Sequence, residues 1–316
     1  MFLKKNRLYK EVPILLGIST YAYLVNWYSG NMGVIPIDSF GFLDTGYSII
    51  QGHLPIRDFW IFTGLVVDYM EAAFLYLFGN NWNSHLAHSS FMNIVATTSL
   101  YLFLKEYNLN LSHIVFYCLS FATLCYPLSG TPFAYIHAYI FSLIAIFNLL
   151  IAIKKKSKFL WFLFPYACLI AFLSMQTPTA YILIILFLLV IFYFFKDREF
   201  ENLNFFLLGC FSSIVFFFLF LFVTQTPIIN FIYQYILFPL TIGEGRITSK
   251  EIAYISLIDQ LNFKRLIGEF KFIHIFLAPL IFFSFKTIKS KDRDLNFLNI
   301  TIIFSVLAFF FNQLIT

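Results

Sequence analysis

The sequence predicts an all-α, polytopic membrane protein, with about nine transmembrane helices and interfacial helices in a long first outer loop. Three observations predict it. Hydrophobic residues make up 60% of the 316 residues, charged residues only 12%, and the mean hydropathy is +0.81. An ordinary soluble domain has about 25% charged residues, and no single soluble core hides this much apolar surface. Apolar runs of bilayer length recur along the chain, and the Lys and Arg residues cluster in short segments between them.

Taken in order, the runs are 12–28, 86–104, 112–127, 138–153, 159–174, 178–195, 203–223, 271–285 and 296–312. One further run, 63–79, has the length of a span but holds Asp68 and Glu71 at i and i+3. The positive-inside rule decides its place. With 63–79 on the outer surface, 15 of the 21 Lys and Arg residues fall inside, and Arg57, Arg246, Lys250, Lys264, Arg265 and Lys271 remain outside. With 63–79 crossing, every later loop flips, leaving 9 inside and 12 outside. The expectation is nine spans, the N-terminus inside and the C-terminus outside, with outer loops at 29–85 and 224–270. The first run lacks a small-residue cleavage site and reads as a retained span. No internal repeat or low-complexity linker divides the chain, so 1–316 is expected to be one integral membrane domain.

The net charge of +5 is no nucleic-acid signal, because the basic residues are dispersed over short inter-span segments. The 45 Phe and 19 Tyr residues read as coding bias of an AT-rich genome rather than an aromatic binding code. Cys118, Cys125, Cys168 and Cys210 all fall in apolar runs, where cysteine is a small packing residue.

The chemistry concentrates at 34–82, where Asp38, Asp44, Asp58, Asp68 and Glu71 face a single Arg57. Carboxylates at a membrane are costly and need a reason. Phe40, Leu43, Tyr47 and Ile50 recur at helical spacing while Asp44, Ser48 and Gln51 take the other face, which predicts a short interfacial helix beginning at Phe40. Gly52 and Pro55 end it. The segment 63–79 predicts a second interfacial helix, with Asp68, Glu71 and Ala72 on its less apolar face and Gly79 as its stop.

These residues resemble the N-terminal part of the GT-C membrane glycosyltransferases, the superfamily of protein O-mannosyltransferases and lipid A aminoarabinose transferases. The resemblance rests on an order of features over roughly residues 1–200. Asp38 opens the first outer loop, and a helix runs to Ile50. Then come Gly52-His53-Leu54-Pro55 and Arg57-Asp58-Phe59-Trp60, and a second surface helix ends at Leu77-Phe78-Gly79. The resemblance implies transfer of a sugar from a polyprenyl-phosphate donor to a lipid-linked glycan, lipopolysaccharide or protein acceptor at the outer face of a bacterial inner membrane. It also implies that Asp38 is the catalytic residue acting on the acceptor hydroxyl. The leaving phosphate needs cationic partners, for which Arg57, Arg246 and Lys250 are this chain's candidates.

The chain departs from the family's pattern in three places. Ile61-Phe62-Thr63-Gly64-Leu65 lacks the Lys frequent there in relatives. The loop 129–137 has no carboxylate, so a two-carboxylate metal site is not supported; His137 is the candidate ligand or base in its place. Ser174-Met175-Gln176-Thr177-Pro178 lacks a Lys, and Gln176 is a candidate cleft-lining residue. Each candidate also has a plain structural reading. Asp38 caps a helix, Asp58 pairs with Arg57 to pin the loop, His137 is a hydrogen-bonded structural histidine, and Gly243-Glu244-Gly245-Arg246 is a flexible turn. His53 and His85 are expected to face solvent. Two further function classes stand beside the transferase: a catalytically inactive GT-C-like scaffold, and a lipid or glycolipid flippase, against which the near absence of charge in the later spans argues.

Overall fold

The computed structural model describes residues 2–33, 36–61, 64–127, 129–197, 200–242, 263–268, 271–288 and 293–315. Among these the chain is helical and forms no strand beyond one isolated bridge, Pro55 to Phe59. All nine apolar runs coincide with helices. In chain order these are α1 (Phe2–Gly30), α4 (Trp82–Glu106), α5 (Leu111–Cys125), α6 (Ala134–Lys155), α7 (Lys158–Ser174), α8 (Gln176–Asp197), α9 (Phe200–Val223), α12 (Lys271–Ile288) and α13 (Arg293–Ile315). Among the described residues three helical segments are long and apolar enough, by length and composition, to cross a membrane: Ala134–Lys155, Gln176–Lys196 and Phe200–Val223. Between α1 and α4 lie the two shorter helices expected there, α2 (Pro36–Ile50) and α3 (Leu65–Phe78). After α9 come α10 (Ile228–Phe231), the π-helical stretch Ile232–Leu237, and α11 (Phe263–Gly268).

Local chemistry sets the boundaries. The Asn81 side chain accepts the Ser84 N–H to cap α4, and Ser157 does the same for Leu160 at α7. Gly79 ends α3 at φ +90°, a conformation open to glycine. α2 differs from expectation at its start. It opens at Pro36 rather than Phe40, because proline suits a first helical turn and removes no needed donor. Asp38 therefore sits within the first turn instead of before it.

The largest apolar core joins α6, α7, α8, α9 and α13 around Trp161, which stacks on Tyr193 at 5.5 Å and meets Phe194 and Phe206. Between apolar helices, close packing of this kind is the main cohesive force. At one end of the bundle, ion pairs gather the helix termini: Lys105 with Glu11 at 2.5 Å, Lys155 with Glu106 at 2.5 Å, and Lys158 with Glu201 at 3.7 Å. Exposed pairs such as these add little stability; their value is to show which termini meet. The opposite end holds α2, α3, the turn 51–61, and the loop between α5 and α6. There the backbones of Gly30 and Gly130 touch, such that a Cβ on Gly30 would come within 2.5 Å of the Gly130 carbonyl.

Candidate functional site

The site forms where α2 and the turn after it face each other at this second end. On α2, Asp38, Gly41, Thr45 and Ser48 follow helical spacing along one face, with Asp44 at its margin. Ser39 hydrogen-bonds Thr131 of the α5–α6 loop at 2.8 Å and fixes the start of the helix. Gly52, at φ +91°, turns the chain back. The turn is then closed by the Ile56 N–H to Phe59 carbonyl bond at 2.9 Å and the Asp58 N–H to Leu54 carbonyl bond at 2.9 Å. Ile56 holds φ +70° although it is β-branched and only 2% exposed. Such a conformation is strained and persists only where surroundings enforce it, as they do at functional sites. The Gln234 amide supplies part of that enforcement, donating to the Ile56 carbonyl at 3.2 Å and accepting from Ile61 N–H at 3.4 Å.

The resulting cleft has a volume of about 460 Å³, and its charged and hydrogen-bonding lining comes from Asp44, Thr45, Ser48, His53 and Asp58, with Trp60 at the edge. Small-molecule sites run from roughly 300 to 1,000 Å³. Trp60 is 47% exposed and is braced edge-on by Tyr233 and Phe238, at 5.9 and 4.9 Å between ring centres.

Asp58 is held by two bonds from Arg57, at 2.9 Å from Nε and 2.6 Å from Nη2, and by the Leu54 N–H at 2.7 Å. The Arg57 hydrogen bond, aided by that backbone N–H, brings the Asp58 carboxyl down to about 2. Arg57 is thereby committed to Asp58 and does not line the cleft. Asp38 is half-buried in the first turn of α2, about two turns before Thr45, and lies outside the cleft lining. Gln176 also lies outside the lining; its amide donates to the Tyr235 carbonyl at 3.1 Å, next to the Gln234 that braces the turn. Arg246 and Lys250 lie outside the described residues. His53 is exposed, as expected.

Behind α2 lies a buried polar cluster. Glu71 receives His85 Nδ1 at 2.8 Å on one carboxylate oxygen and His88 Nδ1 at 2.7 Å on the other. His88 Nε2 faces His137 Nε2 at 3.0 Å, and His137 Nδ1 meets the Phe133 carbonyl at 2.9 Å. Glu71 and all three histidines are 0% exposed. One turn earlier on α3, Asp68 accepts the Thr45 hydroxyl at 2.9 Å, so a single residue both lines the cleft and bonds the buried acid. Burial raises the Asp68 carboxyl to about 7, against the lowering effect of Thr45. Burial also acts to raise Glu71, but the His85 and His88 hydrogen bonds outweigh it and leave Glu71 below the usual carboxylate range.

Two expectations are corrected here. The face of α3 bearing Asp68, Glu71 and Ala72 points inward, while Tyr76, Leu77 and Phe78 are exposed. His85 is buried rather than solvent-facing. The cause is packing: α3 lies between α2 and α4, and Gly46 of α2 fits so closely that a Cβ there would come 2.5 Å from the Glu71 side chain. His137 belongs to this interior cluster, not to the cleft. Sequence reasoning did not single out His88, Asn26 or Asn93. The signal was the spacing His85, His88, Ser89, Asn93, a polar stripe on one side of an otherwise apolar helix. Its members are all buried, and Asn93 clamps the carbonyls of Ala22 and Ala122 at 2.9 Å each.

Among the described residues no group of three His, Cys, Asp or Glu side chains is arranged to hold a metal ion. A second, apolar groove of about 320 Å³ opens between α3, α7 and α9, lined by residues including Tyr69, Ala73, Tyr166 and Phe220. Comparison with protein-family models, with curated proteins and with solved structures found no match.

Proposed function

We propose that the protein is a membrane glycosyltransferase. It moves a sugar from a polyprenyl-phosphate donor to a lipid-linked glycan, lipopolysaccharide or protein at the outer face of a bacterial inner membrane. One observation carries this reading: a cleft of about 460 Å³, lined by carboxylates and hydroxyls, sits between α2 and the turn after it, in the segment that links the first two long apolar helices. Asp38, in the first turn of the helix that lines the cleft, is the proposed catalytic base that draws the proton from the acceptor hydroxyl as the sugar–phosphate bond breaks. Asp44, Ser48 and His53 offer hydrogen bonds to a polyol, and Trp60 offers an aromatic surface. The apolar groove beside α3 has the chemistry of a prenyl-chain site. The lysine-rich termini gathered at the other end suit the cytoplasmic side; on this reading the cleft faces outward, and nine spans is the proposed topology.

The test is mass spectrometry of surface glycans in wild type, a deletion strain, and the deletion strain carrying Asp38→Asn at normal level. Loss of a sugar-sized mass in the deletion, unrestored by the variant, supports the reading. Restoration by the variant removes Asp38 from the chemistry, and an unchanged glycan profile in the deletion removes the reaction.

A second reading, an inactive scaffold that binds the same lipid, draws on the commitment of Arg57 to Asp58, which leaves the cleft without a described cationic partner for phosphate. Binding of a polyprenyl-phosphate sugar without turnover distinguishes it.

A further inference from the structure

The turn after α2 presents Asp58 and Trp60 to the cleft on a clipped segment. Residues 57–60 lie between Ile56 and Ile61, and one side chain holds both ends. The Gln234 amide donates to the Ile56 carbonyl at 3.2 Å and accepts from the Ile61 N–H at 3.4 Å, although it stands 178 and 173 residues away in the chain. Gln234 belongs to the π-helical stretch, which is itself anchored. The Tyr235 hydroxyl donates to the Phe172 carbonyl at 2.6 Å, and Gln176 donates to the Tyr235 carbonyl at 3.1 Å. Tyr233 and Phe238 meet the Trp60 ring at interplanar angles of 90° and 80°. Trp60 is therefore fixed at its backbone and at its ring, yet nearly half of it stays open at the cleft. An exposed indole held this way is pre-organised, and pre-organisation lowers the entropic cost of binding.

The charge of the lining is one-sided. Asp58 is paired with Arg57. Asp44 is exposed and has no hydrogen-bond or ion-pair partner among the described residues. No Lys or Arg lines the cleft among the described residues. His53 is the one described lining side chain able to become cationic, and it lies close enough to Asp58 to act on that carboxyl. The Thr45 hydroxyl is turned inward to Asp68, which leaves Ser48 as the free hydroxyl.

We infer that Trp60 is a specificity-determining platform for one sugar ring, and that the cleft takes a ring without an acidic group. The C–H bonds on a pyranose face carry partial positive charge and rest against the negative face of an aromatic ring. Hydroxyls at the ring edge donate to the free Asp44 carboxylate, and bonds to an ionised acceptor are the stronger kind. A carboxylate or phosphate on the same ring would meet the Asp44 charge with no described cation to offset it. Two unit charges about 4 Å apart in water-like surroundings repel enough to weaken binding about fivefold. The inference rests on the reading of the cleft as a sugar site and narrows it to neutral or basic sugars, with the leaving phosphate held away from Asp44.

The test uses the full chain in phosphatidylcholine nanodiscs, free of sugar detergents, with 5-fluorotryptophan at its four tryptophan positions. Trp60→Phe identifies the Trp60 19F resonance. Methyl glucoside, galactoside and mannoside are titrated at pH 7.5 in low salt, each beside its methyl uronide, which carries a carboxylate at C6 in place of the hydroxymethyl group. At least one neutral glycoside is expected to shift the Trp60 resonance and leave the other three in place, and its uronide to bind about fivefold more weakly. Raised salt is expected to narrow that gap, because exposed charges are screened. Asp44→Asn is expected to close it.

A uronide that binds as tightly as its neutral partner overturns the inference. So does a Trp60 resonance that no neutral glycoside moves, or a preference that survives Asp44→Asn unchanged. If Asp44→Asn does not fold, the wild-type pair and its salt dependence decide. None of these outcomes bears on the glycan profile of the deletion strain, which decides separately whether the protein is a transferase.

Discussion

Asp68 is a carboxyl group with no exposed surface, one hydrogen-bond donor (the Thr45 hydroxyl), and a second oxygen, Oδ2, with no hydrogen-bond partner. Burial raises it from 3.8 to about 7. The folded protein therefore keeps a proton on Asp68 over a range where the unfolded chain has lost it. Stability from this group is fully present below pH ~4 and is lost as pH rises to 7, after which the loss is constant. A rise of about three units at ~1.4 kcal/mol each corresponds to a loss on the order of 4 kcal/mol.

Asp68→Asn cannot ionise. Its side-chain oxygen still accepts from Thr45, but its amide hydrogens fall where Oδ2 finds no partner, at a cost of about 1–3 kcal/mol. The variant is thus expected to be less stable than wild type near pH 4, and equal or more stable near pH 8, with the two curves crossing between. Reversible SDS titration of the full chain in mixed micelles, at unit steps of pH, measures this. The difference between the curves isolates Asp68, because every other titrating group is common to both. A difference that stays constant across the range refutes the assignment of a raised, buried acid.

Two further substitutions test the frame around the site. Gly46→Ala places a Cβ 2.5 Å from the Glu71 side chain and 3.2 Å from the Ala72 backbone nitrogen. It is expected to cost about 1–3 kcal/mol in the same unfolding assay, as overpacking does, whereas Gly17→Ala, which meets nothing within 4 Å, is expected to be neutral or slightly stabilising. Asp58→Ala frees Arg57 and opens the 51–61 turn, so tryptic cleavage after Arg57 in detergent is expected to speed up several-fold. Because Asp58 titrates only near pH 2, acidification of wild type to about pH 4 is expected to leave the clamp closed.

The sequence reading located elements well where periodicity and length were decisive. Each apolar run is a helix, and both short helices of the first long loop are present. It misjudged which way α3 faces. An isolated amphipathic pattern states only that one side differs from the other, not which side meets the bundle. The deciding information is non-local: Glu71 finds its partners 14 and 17 residues away, in α4, and a third histidine enters from α6. Gly46 was equally silent until α3 was placed against it. By contrast, the Arg57–Asp58 pair was legible because both members are adjacent in the chain. The strained Ile56 was not, since nothing in Pro55-Ile56-Arg57 distinguishes a left-handed isoleucine from an extended one.

The inward turn of α3 changes what the two short helices do. Helices merely resting on a bilayer could shift with it, but α2 and α3 are fixed to the bundle by buried bonds that cross from α3 to α4 and on to α6. Thr45 and Gly46 are consecutive on α2; the first lines the cleft and bonds Asp68, and the second packs on Glu71. Ionisation of Asp68 changes the group that Thr45 faces. The cleft wall therefore answers to the proton on Asp68. A cleft ligand that contacts Thr45 is accordingly expected to bind with a pH dependence up to about pH 7 that Asp68→Asn flattens, and coincident profiles for wild type and the variant would refute that link.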